Sequence, residues 1–412
     1  MPEQLKIAII SFHSCPLGKP GGTDTGGMNV YIQEVAKELG RRGHSVDIYT
    51  RAHRRGHGQE VALGHNVRLI HIEVGGDEEI PKVALYARLQ EFTCGIERFR
   101  KSVPISYDLI HSHYWLSALA GKQLQEWWHV PHFVMLHTLG AVKNTIGIDM
   151  DEPELRIESE REVIHACDRI IAPTTREKRE LIEYYGAPPQ KITVIPCGVN
   201  RDLFRPLDRE LARTELGLDH QKVILFVGRL EPLKGLEQLI KALRHLSSRQ
   251  ILELMVIGGD ERSQSRLQAL QTLAAELRVQ DRVTFLGSVV QKRLPLFYNA
   301  ADISVIPSYY ESFGMVALES LACGTPVVAT DVGAMRNILH HPDGGYVVEN
   351  NSPHLLASGI AELLSHAGNQ AQEVERRRAL TARYGWSTIA DMILHEYTTA
   401  LKRYPRLVNA QV

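Results

Sequence analysis

The chain has 412 residues, 44% hydrophobic and 23% charged, with a formal net charge of -1. That length exceeds one ordinary core and suits two domains of roughly 200 residues each. Near neutrality excludes a bulk electrostatic pull toward nucleic acid or anionic membrane, so a bound anion must be held by a local set of donors.

No stretch approaches the about 18 consecutive apolar residues that a membrane span needs. Met1 to Ile10 passes directly into a strand-like run, without an apolar block and small-residue cleavage site. Cys15, Cys94, Cys167, Cys197 and Cys323 are odd in number and lack C-x-x-C spacing. Reduced thiols in a cytoplasmic protein are expected, and a zinc site is not.

Short β-branched runs alternate with amphipathic stretches, which predicts parallel sheets with crossover helices. In the first half the predicted strands are Ile7–Ile10, Ser45–Tyr49, Val67–His71, Leu109–Ser112, His132–His137, Arg169–Ala172 and Ile192–Ile195. Predicted helices are Met28–Arg42, Leu116–Trp127 and Pro153–Ala166, with Gly43 at the place of a left-handed cap. The rhythm breaks between Pro196 and Pro206, then restarts with strands Val223–Val227, Glu253–Ile257, Val283–Leu286, Ile303–Ile306 and Val327–Ala329. Helices Leu236–Leu246, Ser263–Leu277 and Met315–Ala322 are predicted among them. The expected domains are 1–199 and 200–384, with a helical segment 385–412 that either finishes the second domain or crosses back to the first.

Three clusters carry chemistry. The loop Pro20-Gly-Gly-Thr-Asp-Thr-Gly-Gly-Met-Asn-Val-Tyr31 follows the first strand and opens a helix. Its glycines let backbone amides approach a ligand, and the helix start favours an anion. It matches G-x-G-x-x-G poorly and no acidic residue clearly ends the second strand, which disfavours a nicotinamide dehydrogenase. Gly228-Arg-Leu-Glu-Pro-Leu-Lys-Gly235 places Arg229 and Lys234 beyond a strand end, where two cations suit a pyrophosphate. Glu311-Ser-Phe-Gly-Met-Val-Ala-Leu-Glu319 sets a carboxylate before a helix N-terminus and another about two turns into it. Carboxylates beside a phosphate site are tolerated as acceptors of sugar or ribose hydroxyls.

G-R-L-x-P-x-K-G, E-S-F-G-x-V-x-x-E and G-T-P-V-V, with D-x-G-G-M-N-V-Y, H-S-H-Y-W and H-T-L-x-x-V-K-N in the first half, span nearly the whole chain. In this order they resemble the family 4 glycosyltransferases of the GT-B fold, an α/β architecture of two Rossmann-like domains facing a central cleft. Within that family the resemblance is to the inositol-phosphate N-acetylglucosaminyltransferases of mycothiol synthesis and to the sucrose-phosphate synthases. The latter usually read G-G-Q where this chain has Gly26-Gly27-Met28, which tilts the reading toward the former.

The resemblance implies retaining transfer of a glucose-type sugar from a nucleotide-sugar, UDP-linked, to a small phosphorylated acceptor, with no cofactor or essential metal. Arg229 and Lys234 would neutralise the diphosphate, Glu311 would accept sugar hydroxyls and Glu319 the ribose hydroxyls. Phe313, Gly314, Met315 and Val316 would offer amides, Gly27 would approach the diphosphate, and His137 would orient the sugar. Lys82, Tyr114, Thr138 and Arg156 would meet the acceptor phosphate and Asn29 the inositol ring. Taken alone, Lys82 and Arg156 read as isolated surface charges. The resemblance implies neither a nucleic-acid partner nor a transmembrane segment, and it allows a homodimer.

Weaker signals are set aside. Asp149-Met-Asp151 lies in an acidic loop with no strand before it and reads as a solvated helix-start cluster. His111 and His113 lack a third metal ligand, and one ring is expected toward the pocket and one toward the core. Trp127 and Trp128 read as packing. Two other functions share the donor logic: a sugar-nucleotide 2-epimerase, which needs no acceptor pocket, and a non-catalytic nucleotide-sugar binder.

Overall fold

A computed structural model describes residues 4–18, 26–52, 59–76, 80–148, 151–246, 252–365 and 370–404. Runs such as Ile7–Ile10 and Val223–Phe226 are wholly buried, as parallel strands between helix layers must be. The first sheet contains β1 (Lys6–Ser11), β2 (Ser45–Arg51), β3 (Glu60–Gly64), β4 (Val67–Ile72), β5 (Leu109–His113), β6 (His132–Met135), β7 (Arg169–Ala172) and β8 (Ile192–Val194). Their order is β3-β4-β2-β1-β5-β6-β7-β8, parallel except for β3. The second sheet contains β9 (Lys222–Val227), β10 (Leu252–Ile257), β11 (Val283–Gly287), β12 (Ile303–Ile306), β13 (Val327–Thr330) and β14 (Gly345–Val348). It is parallel throughout, in the order β11-β10-β9-β12-β13-β14.

Strand order reverses once beside β1, between β2 and β5, and once beside β9, between β10 and β12. Open α/β sheets bind ligands outside the carboxyl ends of strands at such reversals. Both crevices open on the same cleft.

Sequence periodicity misses β3 and β14. Strand β3 is a short antiparallel edge with three of its five residues exposed, so no continuous apolar run marks it. Strand β14 opens on Gly345 at φ +138°, where an added Cβ would lie 1.9 Å from the Val327 carbonyl oxygen. Predicted boundaries also shift. The strand over His132–His137 ends at Met135, and the helix from Leu236 passes into a 3-10 turn after Ala242. Gly43 is left-handed, at φ +91°.

The last helix, Trp386–Leu401, packs on the first-domain helix Gly27–Arg41. Trp386 meets the Tyr31 ring edge-on at 5.6 Å, and its indole occupies the space a side chain on Gly198 would need. Polar bonds secure the same seam: Tyr397 Oη to His111 Nδ1 at 2.6 Å, Arg42 Nη2 to Asp391 at 3.1 Å, and Tyr404 Oη to Asp168 at 2.7 Å. Among the described residues no helix is long and apolar enough to cross a membrane. Trp386→Ala should cost about 3–5 kcal/mol, as deletion of a buried aromatic does. Urea denaturation checks this, and an unchanged midpoint would show that the helix is dispensable to the first domain.

Candidate active site

The two crevices form one cleft of about 500 Å3, lined from both domains. On the second-domain side, the turn after β9 carries Arg229, whose Nη1 pairs with Glu231 at 2.6 Å. Gly235 ends the Pro232–Lys234 turn at φ +67°, and a Cβ there would strike the Pro307 carbonyl oxygen at 2.0 Å. Glycine is therefore required, and the close approach brings Lys234 to the loop after β12. Lys234 Nζ donates to Glu311 Oε1 at 2.7 Å, and Ser308 Oγ donates to the same oxygen at 2.8 Å.

Gly314, at φ +104°, turns the chain into helix Met315–Ala322, and a Cβ there would lie 1.9 Å from the Met335 methyl. Met315 and Val316 line the cleft in that helix's first turn, where amide groups have no intrahelical acceptor. Phe313 is buried against the Tyr384 ring, and its carbonyl accepts from Ala334 N at 2.9 Å. Glu319 is buried about one turn into the helix rather than the expected two, accepting from Tyr298 Oη at 3.0 Å, and burial pushes its carboxyl up to about 7.

On the first-domain side, residues 20–25 of the glycine loop lie outside the described residues. Gly26 and Gly27 meet the second domain closely. A Cβ on Gly27 would press on the Met315 methyl at 2.9 Å, and one on Gly26 would lie 3.9 Å from Arg229 Nε. Asn29 is buried, accepting from Ser14 Oγ at 2.9 Å and donating to the Cys15 carbonyl at 2.6 Å. Its side chain braces the loop that returns to the cleft.

Tyr114 follows β5 at φ +76° and His137 follows β6 at φ +61°. Such backbone in bulky residues is strained and persists where the surroundings demand it. His137 Nε2 lies 2.9 Å from His113 Nδ1. Burial, with His111 adding to it, pushes the His137 imidazole down to about 3. The expectation for His111 and His113 is overturned. Residues two apart on a strand share a face; the rings lie 4.3 Å apart, wholly buried, with His111 on Tyr397 and His113 on His137.

Arg156 is no isolated surface charge either. It is 2% exposed; Nε donates to Glu160 at 2.7 Å, Nη1 to Glu152 at 2.8 Å, and Nη2 to both the carbonyl and the hydroxyl of Thr138 at 2.9 Å. Its guanidinium stands 4.9 Å from the Tyr114 ring centre. Lys143 also pairs with Glu152, and both line the cleft beside Thr138 and the half-buried Lys82. Sequence reasoning missed Lys143 and Glu152. The first stands inside the V-K-N motif, and the second was set aside with the acidic loop.

Of that loop, Asp149 lies outside the described residues and Asp151 is exposed. Trp128 stacks on Tyr107 at 5.1 Å and donates to Glu97, so it packs. Among the described residues no three His, Cys, Asp or Glu side chains gather as a ligand set.

Known proteins place this architecture. Residues 25–203 match the profile described as Glycosyltransferase Family 4, and residues 208–380 that described as Glycosyl transferases group 1. A D-inositol 3-phosphate glycosyltransferase of Thermobispora bispora is 40% identical, over 98% of this chain and 96% of its own. A sucrose-phosphate synthase of Thermosynechococcus elongatus superposes with a TM-score of 0.89 at 29% identity, covering 97% of this chain and 100% of that one. Anabaena HepE, solved with UDP and glucose, shares the fold with a TM-score of 0.77 at 19% identity, covering 96% and 100%. With both halves matched and a relative aligned end to end, this chain belongs to glycosyltransferase family 4, as a hexosyltransferase of the GT-B fold.

Proposed function

We propose that the enzyme moves a glucose-type sugar from a UDP-sugar to a hydroxyl of a small phosphorylated acceptor such as an inositol phosphate, retaining the anomeric configuration and using no metal. The distribution of cations in one cleft carries this reading. Arg229 and Lys234 face it from the second domain, and Lys82, Lys143 and Arg156 from the first. One set suits a diphosphate and the other an acceptor phosphate, with sugar-binding space between. The Thermobispora relative is described as acting on inositol 3-phosphate, and HepE was solved with UDP. The likeness to a sucrose-phosphate synthase favours fructose 6-phosphate as the second candidate acceptor. The described cysteines are all free, which suits a cytoplasmic enzyme.

The C1–O bond to the diphosphate breaks as the acceptor oxygen bonds C1 from the same face, and the acceptor proton passes to the leaving phosphate. Several features support this front-face path. The cleft carboxylates are already engaged: Glu152 by Arg156, Glu231 by Arg229, Glu311 by Lys234 and Glu319 by Tyr298. None stands ready as a covalent nucleophile. His137 stays neutral at physiological pH and so orients the sugar by hydrogen bonding. Arg229, Lys234 and the Met315–Ala322 helix start supply preorganised charge for the leaving group.

With a chelator present, wild-type turnover should be undiminished. Arg229→Ala and Lys234→Ala should each lower kcat/KM about 10²–10³-fold, as loss of one preorganised donor does. Loss of wild-type activity on chelation, restored by magnesium, would overturn the metal-free path.

Phosphorylated acceptors should be preferred over their parent polyols, because an anion makes charge-assisted bonds that a hydroxyl cannot. Lys82→Ala is the cleaner probe, since Arg156→Ala also strands Glu160 without its cation. It should raise acceptor KM about tenfold with donor KM unchanged. A wild-type specificity ratio near one, over inositol phosphate, fructose 6-phosphate and their parents, would sink the acceptor assignment.

Glu319 generates a pH effect. Its folded carboxyl titrates near 7, above the ordinary range, so it protonates as pH falls through that value. A protonated acid accepts ribose hydroxyls less well, so donor kcat/KM should fall on the acid side of about 7. Glu319→Gln should flatten that limb; an acid limb retained in the variant would show that another group causes it.

A further inference from the structure

Helix Thr175–Tyr185 belongs to the first domain, yet its first turn touches the second. Thr174 Oγ1 caps it by accepting from the Glu177 amide at 2.9 Å, which fixes where Glu177 begins. Arg176 Nη1 reaches the Asp331 carbonyl at 2.9 Å. Ser312 Oγ, from the second domain, donates to Glu177 Oε2 at 2.6 Å. Ser312 stands between Glu311 and Phe313, on the loop assigned above to the donor sugar.

Glu177 is an expensive residue for packing alone. It is buried, and its second oxygen, Oε1, has no hydrogen-bond partner among the described residues. Burial pushes its carboxyl up to about 8, with Glu180 and Glu160 adding to it, against the lowering pull of the Ser312 hydroxyl. A buried carboxyl that is only half satisfied calls for a reason to be there. The loop supplies one. From the second-domain side it is pressed by Gly333, where a Cβ would come 2.6 Å from the Phe313 carbonyl oxygen and 3.0 Å from that of Glu311. From the first-domain side it is held by Glu177. The loop is thus held from both domains at once.

We propose that Glu177 is a positioning residue, through which the first domain sets the donor-sugar loop by way of Ser312, so that Glu311 is correctly placed only when the two domains are seated on each other. This rests on the donor assignment of Glu311.

The test is a double-mutant cycle on the full-length enzyme. It uses whichever of UDP-glucose and UDP-N-acetylglucosamine turns over with inositol 3-phosphate or fructose 6-phosphate, with UDP binding measured by calorimetry. Glu177→Ala and Ser312→Ala should each lower donor kcat/KM about tenfold, mostly in kcat, and the double variant should fall no further. UDP affinity should stay within about twofold, because UDP lacks the sugar the loop grips. Glu177→Gln keeps an accepting oxygen and should stay within about threefold of wild type. Multiplying effects in the double variant, UDP affinity falling in step with turnover, or a fully active Ser312→Ala would each overturn the proposal. If Glu177→Ala fails to fold, Ser312→Ala and Glu177→Gln decide it by the same criteria. Glu311→Gln separates the two assignments. Unchanged donor kinetics there would refute the donor reading itself, whereas loss there with inert Ser312→Ala refutes only the positioning role.

Discussion

The ring of Tyr31 is the joint on which this enzyme is built. It meets Trp386, His113 and His137 edge-on at 5.5–5.6 Å, wholly out of water. One helix therefore serves three ends. Its N-terminus puts Gly26 and Gly27 against Arg229 and Met315, its middle buttresses the imidazole pair behind the cleft, and its C-terminal Arg42 is tied to Asp391 of the last helix. Because interiors are close-packed, a shift of either domain is felt at the imidazoles.

The cleft's cations are paired within the protein itself. Arg229 has Glu231, Lys234 has Glu311, and Arg156 and Lys143 share Glu152. Binding an anion there exchanges partners rather than neutralising bare charge, so the net gain is a difference between two sets of charge-assisted bonds. A diphosphate or a dianionic phosphate competes with a carboxylate for such cations far better than a neutral polyol does. The pairing also keeps the cations oriented before substrate arrives, which reduces reorganisation when charge develops on the leaving group.

Much of the fold was legible because parallel strands buried on both faces read as continuous β-branched runs. Ile7–Ile10, Val223–Phe226 and Ile303–Ile306 are of that kind, and each is wholly buried. Edge strand β3 left no such trace, and β14 depends on a glycine whose need appears only once Val327 lies beside it. Arg229, Lys234, Glu311 and Glu319 were recognisable because their loops follow strands and open turns or helices, a local arrangement that sequence records directly.

What the sequence by itself determined is this alternation of strand and helix and the residue types at the strand ends, since both follow from short-range periodicity and turn chemistry. Only the tertiary structure decided who partners whom. Glu152 and Glu160 lie four residues either side of Arg156 in the chain, but that Thr138 completes the enclosure requires the end of β6 to meet the Arg156 helix. That His111 turns to Tyr397 requires a helix from the far end of the chain, and that Glu177 holds Ser312 requires the other domain. These contacts join residues up to 286 positions apart, and no local pattern encodes them, because burial and pairing at such distances are set by how whole elements pack.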